Sequence, residues 1–133
     1  MTMYTQDRQV GSQYEATKDK SVKEIASLIR SEVRKATKQG TIPAEWDYSV
    51  RLHRFSGGQS IEIHVIVPEE VASLRWDCPE GTEGWATLAR LNATEAFLDD
   101  LHASFNFYQS YFPGDGCATR YFGRASVQRK VGV

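Results

Sequence analysis

Little in this sequence is extreme, and what it lacks narrows the field. There are two cysteines in 133 residues, Cys78 and Cys117, far apart and with neither a CxxC spacing nor a histidine nearby. That is too few for a disulfide scaffold, and both thiols are expected as unpaired, small apolar residues. No apolar run approaches the roughly 18 residues of a membrane span, and the first twenty residues lack the apolar segment of a signal peptide, so a cytoplasmic location without a membrane partner is expected. Net charge is slight as well, at −1, which argues against a generally basic nucleic-acid coat. Catalytic signatures are missing: the chain has no GxSxG, no HExxH and no closely spaced Cys/His pair. The expectation is therefore a non-enzyme without cofactor or metal.

What is present is the composition of a folded chain, 41% hydrophobic and 25% charged, with a length that suits one hydrophobic core. Charge is unevenly spread. Residues 1–67 carry ten Lys/Arg against eight Asp/Glu, residues 68–115 two against nine, and residues 116–133 four against none, so the middle is acidic and the end basic.

Residues 1–20 are polar and aperiodic and are expected as an arm or an early edge segment. "SVKEIASLIRSEVRKATK" then opens with Ser21 and Glu24 at the spacing of a capping box. At 100° per residue Val22, Ile25, Ala26, Ile29, Val33 and Ala36 share one arc of about 100°, the width of a core-facing stripe. Gly40 and Pro43 end this helix. The apolar period next falls to two: Trp46, Tyr48, Val50 and Leu52 alternate with polar neighbours, as do Ile61, Ile63, Val65 and Val67, the pattern of two half-buried strands. Residues 68–91 read as a long connection holding one short helical turn, with Trp76 and Trp85 as a lid on the core. A second long helix is predicted from Asn92, with Glu95 completing its cap and Ala93, Phe97, Leu101, Phe105 and Tyr108 facing the core until "FPGDG" stops it near residue 113. Alternation at Tyr121, Gly123, Ala125 and Val127 predicts a third strand. The sum is an α+β domain over residues 21–127, an antiparallel sheet of at least three strands with two helices on one face, followed by a basic tail at 128–133.

The glycine pair in "RFSGGQSIEIHV" has two readings. As the loop of a hairpin, Gly57 and Gly58 would take positive φ, and strand partners would have numbers summing to 115, which sets Val50 opposite Val65, Leu52 opposite Ile63 and Tyr48 opposite Val67. A phosphate cradle would need further glycines, a lysine or a following helix N-terminus, and none follows. The hairpin is the expectation.

The helix ending "LIRSEVRKATKQG", the segment "DYSVRLHRFSGGQSIEIHV" and the later "FYQSYFPGDGCATRYFGRASV" together resemble the large polyvalent protein associated domains of bacteriophage and plasmid proteins, over roughly residues 21–127. The most specific positions are Ser49, Val50, Arg51, Ser56, Gly57, Gly58, Ser60 and Ile61, similar to that family's strand, serine-glycine turn and second strand. Arg120 and Arg124 depart from it, standing where the family would have acidic and polar positions. The resemblance implies a small module carried by mobile elements, working in the host cell's cytoplasm if phage-encoded, with no established activity.

Several constellations carry chemistry. Lys23, Arg30, Arg34, Lys35 and Lys38 gather opposite the apolar stripe of the first helix, where they can contact several phosphates or simply form a solvated face that Glu24 and Glu32 partly offset. Arg120, Arg124, Arg129 and Lys130 have no acid beside them and either extend that surface or form a soluble tail. The register sets His53 opposite Glu62 and Arg51 opposite His64, a grouping that suits metal binding or acid–base chemistry and is expected instead as cross-strand pairing on a wet face. His102 is expected at an exposed rim. Glu69, Glu70, Asp77, Glu80, Glu83, Asp99 and Asp100 lack the spacing of a calcium loop and read as a charged surface. The functional expectation is a non-enzymatic accessory protein that binds a host or phage protein, counter-defence included, with Trp76 and Trp85 in the partner loop. The alternative is nucleic-acid binding through the basic helix face together with Arg120 and Arg124.

Overall fold

The computed structural model describes residues 8–56, 58–75, 78–110 and 117–129. In chain order these form β1 (Arg8–Val10), α1 (Tyr14–Thr17), α2 (Val22–Lys38), β2 (Asp47–Phe55), β3 (Gly58–Val67), α3 (Glu69–Ala72), a 3-10 turn (Ser73–Arg75), α4 (Glu83–Ser104), β4 (Phe107–Ser110), β5 (Cys117–Thr119) and β6 (Phe122–Arg129). The fold is α+β.

The ends of α2 follow from its sequence. Ser21 is extended and its hydroxyl accepts the Glu24 amide at 3.2 Å. At the other end the Thr41 amide donates to the Ala36 carbonyl at 2.9 Å and the Gly40 amide to Thr37 at 3.2 Å, a Schellman turn with Gly40 at φ 75°. Between these caps every residue of the expected stripe, Val22 to Ala36, is buried.

β2 and β3 form the expected antiparallel hairpin with a shifted register: partner numbers sum to 113, so Val50 faces Ile63, Leu52 faces Ile61 and Tyr48 faces Val65. The two-residue shift leaves every side chain on its expected face, because strand side chains alternate with period two. Gly58 is already paired with Phe55 as the first residue of β3, and its φ is not positive; Gly57 lies outside the described residues. Gly58 is small for a different reason: a Cβ there would sit 3.3 Å from the rings of both Phe55 and Phe122.

The main sheet has the order β2–β3–β6. β6 joins it as expected but runs parallel to β3, not antiparallel. A parallel neighbour needs a crossover, and the long helix α4 lies between the two strands in sequence. Ile61, Ile63, Val65 and Val67 of β3 are fully buried in one core with the α2 stripe and with Leu91 and Leu98 of α4. Among the described residues no helix packs on the even-numbered face of β3.

α4 departs most from expectation. It starts at Thr82, whose hydroxyl accepts the Trp85 amide at 3.3 Å, and it ends at Ser104. Asn92 is therefore interior, and residues 68–91 are a connection only as far as residue 82. The buried face is Leu91, Thr94, Leu98 and His102, one step round from the expected one; Ala93 is exposed, while Phe97 and Leu101 are partly buried against the core. Phe107–Ser110 belongs to β4 rather than to the helix, and "FPGDG" lies outside the described residues.

A second sheet of order β1–β4–β5 was not anticipated. β1 is an edge strand, which fits one of the two readings of the N-terminal segment, and α1 with Thr17 buried ties the rest of that segment down. Asn106 links this sheet to β6: its amide donates to Tyr121 O at 2.7 Å and its side-chain oxygen accepts from the amides of Arg120 and Tyr121.

Candidate functional site

Because β2 is an edge strand and α2 packs beside it, an open cleft of about 770 Å³ forms between them. One wall carries Arg30, Arg34 and Lys38, which recur every four residues along α2 and so rise by about 6 Å per step. Trp46, Tyr48 and Val50 line the strand side, with Asp47 and Ser49. The Arg30 guanidinium donates to the Val50 carbonyl at 2.9 Å, which holds it over the cleft and leaves the rest of its donor fork for a ligand. Tyr48 donates its hydroxyl to the Pro43 carbonyl at 2.6 Å. Burial pushes this phenol up to about 12, against the opposing pull of Arg90, so it stays a neutral donor at physiological pH. Arg90 also stacks 5.5 Å from the Trp46 ring and pairs with Glu45. Among the described residues no carboxylate forms an ion pair with Arg30, Arg34 or Lys38. The cleft can therefore hold an extended anionic ligand.

The other sequence-derived candidates disperse. Lys23 and Lys35 are exposed on α2 outside the cleft lining. Arg120 does not extend that surface: its guanidinium is turned inward onto Thr17 Oγ1 at 3.2 Å, Phe105 O at 3.1 Å, Lys20 O at 2.8 Å and Thr17 O, and it stacks 5.4 Å from Tyr14. Arg124 is exposed on the helix-free face of the main sheet, with that sheet between it and α2. Arg129 pairs with Glu69 at 3.1 Å. Trp76, Asp77, Lys130 and the Cys117 side chain lie outside the described residues. Trp85 is 43% exposed in the first turn of α4 and does not lid the core. Cys78 is a free thiol, 3.9 Å from Thr82 Oγ1.

The histidine group assembles despite the shifted register. His53 now faces Ser60 and Arg51 faces Glu62. Yet His53 Nε2 and His64 Nε2 each lie 3.4 Å from Glu62 Oε2, and His64 Nδ1 lies 3.0 Å from Ser126 Oγ. This chain of four lies on the face of β2, β3 and β6 that the core does not use. Among the described residues no group of three or more His, Cys, Asp or Glu could hold a metal ion.

Residues that sequence reasoning missed include Phe55 and Phe122, whose rings meet 6.0 Å apart over Gly58 on the same face. The alternation that places Tyr121 inward does put Phe122 outward; the cross-strand partner was beyond reach without the parallel register. His102, expected at a rim, is buried at 8% exposure. Comparison with known proteins found no matching family model, no matching curated protein and no matching solved structure.

Proposed function

We propose that this chain is a non-enzymatic binding protein whose cleft between α2 and β2 takes an extended acidic segment of another protein. The observation that carries this reading is the row of Arg30, Arg34 and Lys38 facing an edge strand across the cleft. An extended peptide offers side chains of one face about 6.6–6.8 Å apart, close to the step between these cations, and its main chain suits the edge of β2. Nucleic acid would satisfy the cations but not the strand edge. The resemblance to mobile-element domains supplies the context, an accessory module meeting a host or phage protein in the cytoplasm.

The test is fluorescence anisotropy of a labelled peptide of alternating Glu and Val titrated with the full chain. Arg34→Glu with Lys38→Glu is expected to weaken binding at least about tenfold, equivalent to about 1.4 kcal/mol. Equal binding of the matching Gln/Val peptide, or an unaffected double variant, would refute the reading.

A further inference from the structure

We infer that the face of the main sheet on which no described helix packs is a second, independent site that binds single-stranded nucleic acid, stacking bases on Phe55 and Phe122 and holding phosphates on Arg51 and Arg124. The strand registers lay this face out in rows. Phe55 stands opposite Gly58; the next row is His53, Ser60 and Phe122; the next is Arg51, Glu62 and Arg124; the next is Ser49, His64 and Ser126. Rows are about 6.6–6.8 Å apart along the strands.

Three features of the lattice point to this ligand. Phe55 and Phe122 are 49% and 48% exposed, side by side and tilted by 35°, and the missing side chain at Gly58 lets both rings lie against the sheet. Two half-exposed aromatic rings side by side are a stacking platform, since every base has a flat π surface to offer. The next row ends in an arginine on each edge strand, about 10 Å apart across three strands. Among the described residues neither Arg51 nor Arg124 joins an ion pair, and the one carboxylate between them, Glu62, lies 3.4 Å from the Nε2 atoms of His53 and His64. That leaves two exposed guanidiniums beside the rings, the charge complement of a phosphate backbone. The hydroxyls and imidazoles of the neighbouring rows, Ser49, His53, Ser60, His64 and Ser126, offer hydrogen-bonding groups beside the rings. A duplex keeps its bases stacked on one another, so the platform selects single strands.

The experiment is fluorescence anisotropy of labelled oligomers of about 15 nucleotides, oligo-dT and oligo-U, and a duplex of the same length, titrated with the full chain at about 50 and about 200 mM salt. Single strands should bind more tightly than the duplex, and comparing the two sugars shows whether the ribose hydroxyl contributes. Phe55→Ala with Phe122→Ala should weaken binding at least tenfold, on the order of one stacked base. Phe55→Tyr with Phe122→Tyr keeps the rings and should bind within about threefold of the parent. Arg51→Ala with Arg124→Ala should flatten the salt dependence by about 1.4 in the slope of log K against log salt. Absence of binding at the lower salt, a duplex bound as tightly as single strands, a tyrosine pair as weak as the alanine pair, or binding lost through Arg34→Ala with Lys38→Ala in place of the phenylalanines would each overturn the assignment.

Discussion

At the scale of single residues, two side chains that sequence reasoning placed at the surface work in the interior. Arg120 closes the N-terminal segment onto the end of α4 by donating to backbone carbonyls of Thr17, Lys20 and Phe105. Arg120→Ala would leave these partly buried acceptors without their charged donor, and a loss of about 3 kcal/mol in urea unfolding is expected. Arg120→Lys should recover little of it, because an ammonium cannot reproduce the planar fork. A loss within about 0.5 kcal/mol, as for an ordinary surface change, would contradict the clamp. His102 is the second case. Burial pushes its imidazole below the ordinary value against the favourable pull of Asp99, 3.3 Å away, and its Nδ1 has no hydrogen-bond partner where Gly123 passes. A Cβ at position 123 would come within 2.6 Å of that nitrogen. The folded state thus resists protonation more than the unfolded state does. Stability is fully present above the unfolded pKa of about 6.5 and falls as the pH drops from there through the folded value. Urea midpoints measured from about pH 8 to about pH 5 should decline less for His102→Gln than for the parent; equal declines would remove His102 as their source. Neither role was legible beforehand, since a lone Arg or His in sequence carries no sign of what will pack on it.

At the scale of elements, legibility followed the contrast between faces. α2 has a wide apolar stripe opposite a charged arc, so its cap, its buried residues and its glycine terminus were all readable from residues 21–40. α4 lacks that contrast. Thr94 and His102 occupy its buried face, while exposed Trp85, Ala89 and Ala93 dilute the polar one, so the periodicity pointed to a later start and a neighbouring face. The true start was available in Thr82, a good N-cap residue, followed by Glu83 in the first turn. Thr82→Ala should therefore destabilise the chain by about 1 kcal/mol, read as a lower urea midpoint with unchanged slope, although Asn92 was the sequence-based starting point. An unchanged midpoint in Thr82→Ala would contradict Thr82 as the cap of α4. The hairpin shows the same limit on a smaller scale: alternation gave the correct faces, while the register is shifted by two and Gly58 belongs to β3.

At the scale of the molecule, the arrangement of strands determines which charged groups share a surface. With β6 parallel to β3 and both helices sharing one core with β3's odd face, Arg124 joins Arg51 on the open face, while Arg30, Arg34 and Lys38 stay with the edge strand β2. The basic residues that the sequence grouped by charge therefore divide into a cleft, an open platform and an internal clamp. No run of apolar or charged residues could have shown this, because the division depends on pairings between segments roughly 60 residues apart. No helix among the described residues is long and apolar enough to cross a membrane. The most direct measurement is an amide chemical-shift titration of the isotope-labelled full chain with the alternating Glu/Val peptide. Binding in the cleft predicts the largest, saturable shifts at residues 30–38 and 46–50, with the open-face residues 122–126 unmoved. Shifts centred on the open face, or no saturable shifts at all, would contradict the cleft as the partner site.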